Sequence, residues 1–290
     1  MSSDGEIIER LRSRPLVDDC LRDRSLEDAI LYTQDMESSG KTEFAFSRFE
    51  LLVLAGRLDE AETVLKGFAE RSGELGKTCR LYLKLLNADR WRREWNRDGE
   101  RSPGAFSPPP GNVKLHCKAW NEYHQKSARH AIDTLKKAGK RRPHTSGVLQ
   151  DHRNDTYRFD DIRESDSFIL DCLEVLTPGK FFLVPFSEIV RLALPRAERV
   201  RQSIYVPSRL VTRNGVDGLV WIPQYYAGTH FCENEESRNG RVTSWDELEV
   251  DFAIAFGPRK LQIFCANSLN MLGLDQILRI AFSDTGKNAR

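Results

Sequence analysis

The sequence predicts an α+β protein. It indicates an N-terminal tetratricopeptide-like helical domain over residues 1–150, followed by a small C-terminal α+β domain with an antiparallel or mixed sheet over residues 151–290. Apolar residues recur at helical spacing in the first half, whereas short apolar runs bounded by proline and glycine dominate the second half. A chain of 290 residues is long enough for two domains of ordinary size.

Helical periodicity organises the first half. Ser25 and Asp28 are spaced as a capping-box pair before the first helix, and Gly40 is placed to end that helix. Residues 44–55 are apolar nearly all round, which predicts a buried helix. Further helices are expected over residues 58–69, 75–95 and 112–138.

The helices show a weak internal repeat. Leu26-Glu-Asp-Ala29 recurs as Leu58-Asp-Glu-Ala61, at a spacing near the roughly 34 residues of tetratricopeptide helix pairs. Stacked helix pairs leave a concave surface that can bind a partner. Generic helical packing with coincidental spacing is the alternative.

Two stretches interrupt the helical pattern. The proline-rich residues 102–111 cannot continue a helix, and we expect them to connect two helices. The polar stretch from Gly139 to Asn154 has the composition of a linker between the two domains.

The second half begins with an acidic segment, residues 159–176, which reads as an amphipathic helix. Three short apolar runs then end on Pro185, Pro207 and Pro223, where the missing backbone donor stops strand pairing or marks an edge. Asn214-Gly215 predicts a turn between two strands. Strands are expected over residues 180–184, 189–194, 205–213, 219–222, 260–265 and 277–282.

Composition and charge exclude several classes of protein. The formal net charge is +1, which gives no overall attraction to nucleic acid or membranes. No run approaches the roughly 18 apolar residues of a membrane helix. The six cysteines are scattered without a C-x-x-C pair, so we expect reduced thiols and a cytoplasmic location.

No motif for catalysis or for a cofactor stands out, and we expect neither a catalytic residue nor a bound metal. His116-Cys117 and His230-x-Cys232 each lack the second ligand pair that a zinc site needs. A metal-dependent hydrolase that uses Asp160, Asp166, His230 or Cys232 is an alternative. Another is a nucleic-acid-binding module built from two basic patches, the arginines from Arg90 to Arg97 and the stretch from Lys126 to Arg142.

Two groups of residues are candidates for contact with a protein partner. Aromatic side chains cluster at the end of one predicted strand, and tyrosine and tryptophan often anchor interfaces. Acidic side chains occupy the start of the acidic segment, where a solvated helix face is the alternative. For the aromatic group, a place in the core is favoured over a place at an interface. The candidates are Trp221, Tyr225, Tyr226, Asp160, Asp161 and Glu164.

Several motifs resemble one known family. The stretches are Val184-Pro-Phe-x-x-Ile189, Val206-Pro-x-x-Leu210 within an IYVPSRL run, the LVWIP run, and Tyr226-Ala-Gly-Thr-His230; Trp245 fits a further element. In this order they resemble the ImpE/TagJ family, and residues 44–71 resemble its helical half. The proline-rich insertion at residues 102–111 and the apolar stretch at 269–278 depart from what the family resemblance leads us to expect.

The resemblance implies a non-enzymatic, cytoplasmic accessory adaptor of a bacterial type VI secretion system. Members of this family are described as binding the small subunit of the contractile sheath and the AAA+ ATPase that recycles sheaths. It implies no catalytic residue, no cofactor, no membrane contact and no nucleic-acid partner. It does not assign the partner surface to particular residues.

Overall fold

The structure is a computed structural model that describes residues 20–21, 23–195 and 203–283. The predicted domains 1–150 and 151–290 therefore extend beyond the described residues at both ends. Within the described part, no helix has the length and apolar character needed to cross a membrane. The helices are α1 (Leu26–Ser38), α2 (Phe44–Leu54), α3 (Leu58–Ala69), α4 (Gly73–Asp98), α5 (Gly111–Gln125), α6 (Ala128–Arg141) and the short α7 (Glu235–Arg238).

The helical half forms as its sequence pattern predicts. The Ser25 hydroxyl accepts the backbone N–H of Asp28 at 3.2 Å and caps α1. Every residue of α2 except Arg48 is buried, because α1 and α3 pack against it from either side. Consecutive helices from α1 to α4 contact one another in order. A tetratricopeptide-like repeat stays a prediction.

The second half is built from antiparallel strands, which confirms the predicted α+β class. One eight-stranded sheet has the order β2-β1-β13-β6-β7-β8-β4-β5, beside a three-stranded sheet β12-β11-β3 and a two-stranded sheet β10-β9. The strands are β1 (Gly147–Asp151), β2 (Thr156–Phe159), β3 (Asp161–Glu164), β4 (Cys172–Thr177), β5 (Lys180–Pro185), β6 (Ile189–Ala193), β7 (Tyr205–Thr212), β8 (Asp217–Pro223), β9 (Ser244–Glu249), β10 (Phe252–Phe256), β11 (Lys260–Cys265), β12 (Ser268–Gly273) and β13 (Ile277–Phe282).

The predicted acidic helix over residues 159–176 is wrong. This segment holds the end of β2, all of β3, a loop and most of β4. Nearly all of β4 is buried, because β4 lies between the helices and the rest of the β half. The apolar residues of this segment fall at a spacing that fits a helix, but its short apolar run at β4 is equally compatible with a strand buried on both faces, and the structure forms the strand.

The predicted linker over residues 139–154 is also wrong. Its first residues complete α6, and its centre forms β1, which pairs with β13 on one side and β2 on the other. Leu149 of β1 is fully buried in the sheet. The chain therefore passes from the last long helix into the large sheet within six residues, 142–147.

The three prolines take two different positions. Pro185 and Pro223 end β5 and β8, as predicted. Pro207 lies inside β7, at a point where β7 pairs with β8 but has not yet met β6, whose pairing begins at Arg209. Among the described residues, no strand pairs with that side of β7 at Pro207, so the missing donor disturbs no ladder between them.

The proline-rich stretch 102–111 covers the edge of the large sheet. Gly104 forms a parallel bridge with Phe182 of the outermost strand β5, through hydrogen bonds to Phe181 and from Leu183. The Phe106 ring stacks on Phe182 with ring centroids 4.4 Å apart. A Cβ added at Gly104 would lie 3.0 Å from the Phe182 ring, which explains why a residue without a side chain occupies this position. The stretch connects α4 and α5, as predicted, and also protects an edge strand.

Two hydrophobic cores hold the protein together. One lies within the β half, between the large sheet and the β12-β11-β3 sheet. The other is shared by the two halves: residues of α1 to α6 pack with side chains from β4, β5, β7, β8 and β10. Trp95 of α4, for example, lies 5.8 Å from Phe181 of β5 between ring centroids. The halves are therefore docked through a continuous apolar interface.

Candidate functional site

A buried set of charged side chains lies where α4 meets the β half. Two adjacent arginines of α4 pair with an acid one turn earlier in the same helix, and one of them also reaches an acid of β4. An arginine that follows the Gly257-Pro258 turn pairs with that β4 acid and with an acid of β3. We call this set the junction cluster; it comprises Asp89, Arg92, Arg93, Glu164, Glu174 and Arg259.

The contacts of the junction cluster run from the helical half to the β half. Arg92 donates to Asp89 at 2.6 Å within α4, and to Glu174 of β4 at 3.0 Å. Arg259 donates to the same Glu174 and, at 2.6 Å, to Glu164. Glu174 thus joins two arginines that come from different halves. Three acids face three arginines, so the formal charges balance.

Burial and ion pairing act in opposite directions on these groups. Burial alone would raise the pKa of Asp89, but Arg92 and Arg93 outweigh it and lower that pKa to about 2. For Glu164 burial dominates and raises the pKa, although Arg259 opposes the shift. Burial lowers the pKa of Arg259, yet Glu164 and Glu174 more than compensate, and the net pKa is raised. The arginines therefore stay charged.

Tyrosine hydroxyls complete the hydrogen bonding of the acids. Tyr226 donates to Glu164 at 3.0 Å, and Tyr205 donates to Asp89 at 3.1 Å. Arg92 also donates to the backbone carbonyl of Tyr225 at 3.0 Å. A buried charge destabilises a protein unless it is paired and hydrogen-bonded. Asp89 and Glu164 each have an arginine and a tyrosine as partners, and Glu174 accepts from two arginines.

A second buried set fixes the end of α6. Arg142 forms a bidentate pair with Asp161 of β3, and its Nε lies 3.4 Å from Asp171. Asp171 also contacts Nε2 of His116 at 2.9 Å and accepts from Asn112 at 3.1 Å. This set anchors α5 and α6 to the loop before β4. Both charged sets thus serve the docking of the two halves.

The structure separates the residues predicted to contact a partner. Trp221 and Tyr226 are buried, Tyr226 against the junction cluster. Asp161 and Glu164 are buried in ion pairs with arginine. The remaining two, Asp160 and Tyr225, reach the surface, where Asp160 is exposed and Tyr225 half-buried. The three acids do not share an exposed helix face, because the acidic segment is not a helix.

Tyr225 lies on the wall of an open cavity with a volume of about 590 Å³. We call it the Tyr225 cleft. Its walls come from three loops around α7, β11 and β13, and Arg241 crosses one end by donating to the Leu21 carbonyl at 2.6 Å. The lining includes Gln224, Tyr225, Arg241, Val242, Thr243, Pro258, Lys260 and Gln276.

A second cavity of about 500 Å³ lies on the helical half, between α1, α2 and α3. We call it the α1–α3 groove. Its floor is partly apolar, with Val64 and Phe68, and its rim carries the Arg48–Glu37 ion pair at 3.0 Å. Gly67 lines it too, and an added Cβ there would meet no atom within 4 Å. A mid-helix glycine is destabilising by about 1 kcal/mol relative to alanine, and no contact within the described residues requires it.

The residues of the hydrolase alternative have separate structural roles. Asp166 accepts backbone N–H groups from Phe168 at 2.8 Å and Ala255 at 3.0 Å. Burial, followed by Arg93, lowers the pKa of His230 to about 4, so its neutral ring accepts from Arg93 at 3.2 Å. Cys232 contacts Ser244. Among the described residues, no three His, Cys, Asp or Glu side chains are grouped to hold a metal ion.

The first basic patch of the nucleic-acid alternative is largely ion-paired. Arg90 bonds Asp59 and Glu62, and Arg97 bonds Asp98. Arg92 and Arg93 belong to the junction cluster. In the second patch, Lys126, Lys136 and Arg142 are paired with Glu122, Glu249 and Asp161 respectively. The acids that neutralise the first patch lie mostly on the helices themselves.

The junction cluster was missed in the sequence, although one signal for it was present. Glu174 is a single acid inside the apolar run Cys-Leu-Glu-Val-Leu of β4. An acid in such a run is buried whichever element forms, and a buried acid needs a cation. The sequence could have predicted the need for an arginine at this point, but not which arginine supplies it.

Comparison with known proteins identifies the class first. The crystal structure of protein VPA1032 from Vibrio parahaemolyticus matches this fold with a TM-score of 0.74 at 17% identity, over 89% of this chain and 94% of that one. Residues 156–277 match the family model described as ImpE protein. The chain is thus an α+β protein whose β half carries an ImpE domain.

The comparison with curated proteins extends this match to the helical half. The type VI secretion system accessory component TagJ of Pseudomonas aeruginosa strain PAO1 is 22% identical over 249 residues, which are 84% of each chain. These matches confirm the resemblance to the ImpE/TagJ family that the sequence predicted.

Proposed function

We propose that this protein is a non-enzymatic accessory adaptor of a bacterial type VI secretion system. It acts in the cytoplasm and binds a component of the contractile sheath, the AAA+ ATPase that recycles sheaths, or both. The observation that carries this proposal is the match to TagJ, which spans 84% of both chains and so includes both halves. An adaptor needs both halves because it must present more than one surface.

The architecture supports an adaptor in physical terms. The α1–α3 groove lies on the helical half and the Tyr225 cleft on the β half. The shared core and the junction cluster hold the two halves in one orientation. Partners bound at the two cavities would be kept at a fixed separation. A partly apolar groove between helices suits a helix or peptide of a partner.

An affinity pull-down from the native organism, read by mass spectrometry, tests the proposal. Recovery of a sheath subunit or the ATPase is the expected result, and recovery of neither contradicts the adaptor role. Gly67→Arg blocks the α1–α3 groove without a clash inside the chain, and Val242→Arg narrows the Tyr225 cleft at an exposed position. Leu219→Arg is the matched control, because Leu219 is exposed and lines neither cavity.

A further inference from the structure

The β9–β10 hairpin presents a strand edge that the described part of the chain leaves unpaired. β9 pairs with β10 and with no other described strand. The far side of β10 is covered, because the Ala253 N–H donates to the Ser167 hydroxyl and the Ala255 N–H donates to Asp166, each at 3.0 Å. The outer side of β9 has no such cover among the described residues.

The direction of the backbone groups on β9 follows from those contacts. Backbone groups alternate sides along a strand, so the N–H groups of Ala253 and Ala255 point away from β9 and those of Ile254 point towards it. Ile254 is paired with Asp246. The backbone groups of Trp245, next to Asp246, therefore point outwards, and so do those of Glu247. The described chain supplies no backbone partner for either amide.

The side chains along this edge are unusual for an unprotected strand. Natural edge strands commonly carry lysine or proline, which oppose pairing with another chain. The hairpin from Ser244 to Phe256 contains no lysine, arginine or proline. Trp245 is 38% exposed and Val250, at the hairpin tip, is 82% exposed. By contrast, Gly104 covers the exposed edge of the large sheet at β5.

The charges on the hairpin select what can pair with this edge. Asp246, Glu247 and Glu249 are all exposed on β9, and Glu249 is already paired with Lys136 of α6 at 2.8 Å. Like charges directly opposite each other destabilise a strand pair, so a second copy of β9 is disfavoured. Lysine or arginine on an incoming strand would face Asp246 favourably on one side of the sheet, or Glu247 on the other side. A cation could also lie over the exposed Trp245 ring.

We propose that the outer edge of β9 is a docking site for an extended, basic peptide segment of a partner protein, which adds a third strand to the β9–β10 sheet. The backbone groups of Trp245 and Glu247 supply the strand pairing, and the acids supply the preference for a basic sequence. This inference goes beyond the adaptor role and does not depend on secretion. It is tested with the purified protein and synthetic peptides, whereas the adaptor role is tested by the pull-down, so either proposal can fail while the other is supported.

The test uses two synthetic peptides of the same length, one alternating lysine and valine and one alternating glutamate and valine, both capped at their ends. Binding to the full chain is measured by calorimetry at low salt, and hydrogen exchange reports which amides become protected. We expect the lysine peptide to bind and to slow exchange at Trp245 and Glu247. No binding, equal binding of the glutamate peptide, or binding without protection of these two amides would overturn the proposal.

Two substitutions at one position separate strand addition from simple charge attraction. Glu247→Gln removes one exposed charge, which corresponds to a loss of affinity of about 1.4-fold to 5-fold. Glu247→Pro removes the same charge and also the outward N–H, while leaving the inward ladder intact, and we expect a loss of about tenfold or more. Equal effects of the two substitutions would show that pairing does not occur.

A second variant, which leaves the backbone of β9 unchanged, tests the proposal even if Glu247→Pro does not fold. The double charge reversal Asp246→Lys with Glu247→Lys should abolish binding of the lysine peptide and permit binding of the glutamate peptide. Thermal unfolding of every variant confirms that it is folded. If the reversed protein still prefers the lysine peptide, the acids of β9 do not select the ligand and the proposal is wrong.

Discussion

Replacing Arg259 by methionine perturbs the junction cluster at its most enclosed cation. The guanidinium contacts Glu164 at 2.6 Å, Glu174, and the carbonyl of Pro223 at 3.2 Å, and the side chain is fully buried. Methionine retains an unbranched apolar chain of similar length. The substitution therefore removes a charge and its hydrogen bonds more than it removes packing.

The magnitude follows from what is left behind. Glu174 keeps its contact with Arg92, whereas Glu164 is left with the Tyr226 hydroxyl. Removing one partner of a buried ion pair costs about 3–5 kcal/mol, because the remaining charge is buried and unpaired. Burial already raises the pKa of Glu164, and without Arg259 that pKa rises further. A raised acid pKa favours the folded state at low pH, so we expect a loss of about 3–5 kcal/mol at pH 8 and less at pH 5.

Urea unfolding measures this loss, followed by tryptophan fluorescence and circular dichroism. The matched control is Arg209→Met, which breaks an ion pair with Asp217 at 2.9 Å; both side chains are exposed, so water screens the pair and we expect little loss of stability. Adding Glu164→Gln to Arg259→Met removes the unpaired charge and should recover part of the stability at pH 8. If Arg259→Met is no more destabilising than Arg209→Met, or if the second substitution recovers nothing, the structural role assigned to the cluster is wrong.

Gly56→Ala should destabilise the protein more than Gly40→Ala: both glycines have positive φ, but only at Gly56 would the new Cβ meet the His230 ring, at 2.3 Å. We expect a difference of about 1 kcal/mol or more in the free energy of unfolding, and equal costs would contradict the contact. Burial raises the pKa of Asp166 to about 7 in the folded state, so the protonated acid stabilises the folded state at low pH and this stabilisation is lost as the pH rises to 7. The free energy of unfolding should therefore fall by about 1.4 kcal/mol per pH unit between pH 4 and 7. Asp166→Asn should remove this decrease, which urea unfolding across that pH range measures. Phe106→Ala should cost about 1–2 kcal/mol and speed hydrogen exchange in β5, because the stretch that covers this edge loses its ring contact; unchanged exchange would show that the cover holds without the ring.

The helices and the later strands could be predicted because their patterns are local. The strand expected over residues 260–265 is β11, and the strand expected over residues 277–282 is β13, both with the same bounds. Each segment could be recognised because its apolar and polar residues alternate or because it ends at a turn residue. β9 and β12 gave no such signal because most of their residues are exposed or half-buried, and a strand with no buried face has no period to detect. β4 failed for the opposite reason, being buried on both faces.

The candidate site could not be predicted because its contacts join distant residues. Glu174 lies 82 positions from Arg92 and 85 from Arg259 along the chain, and no local pattern connects them. The sequence indicated aromatic and acidic groups near the correct place and favoured the core for the aromatic group, but it favoured a solvated surface for the acids. Glu164 and Tyr226 instead bond each other inside the protein. A polar residue in an apolar run is better read as half of a buried pair than as a surface contact.

The position of the junction cluster explains why an apolar interface between the halves needs charges at all. Rings such as Trp95 and Phe181 pack well in several relative positions, because apolar contact has little directional preference. Glu174 can bond Arg92 and Arg259 together in one arrangement only, since any sliding of α4 over β4 would leave a buried charge unpaired. The apolar core thus supplies the stability of the docked state, and the charges select its register. In the adaptor role proposed above, that register would set the distance between partners bound at the two cavities.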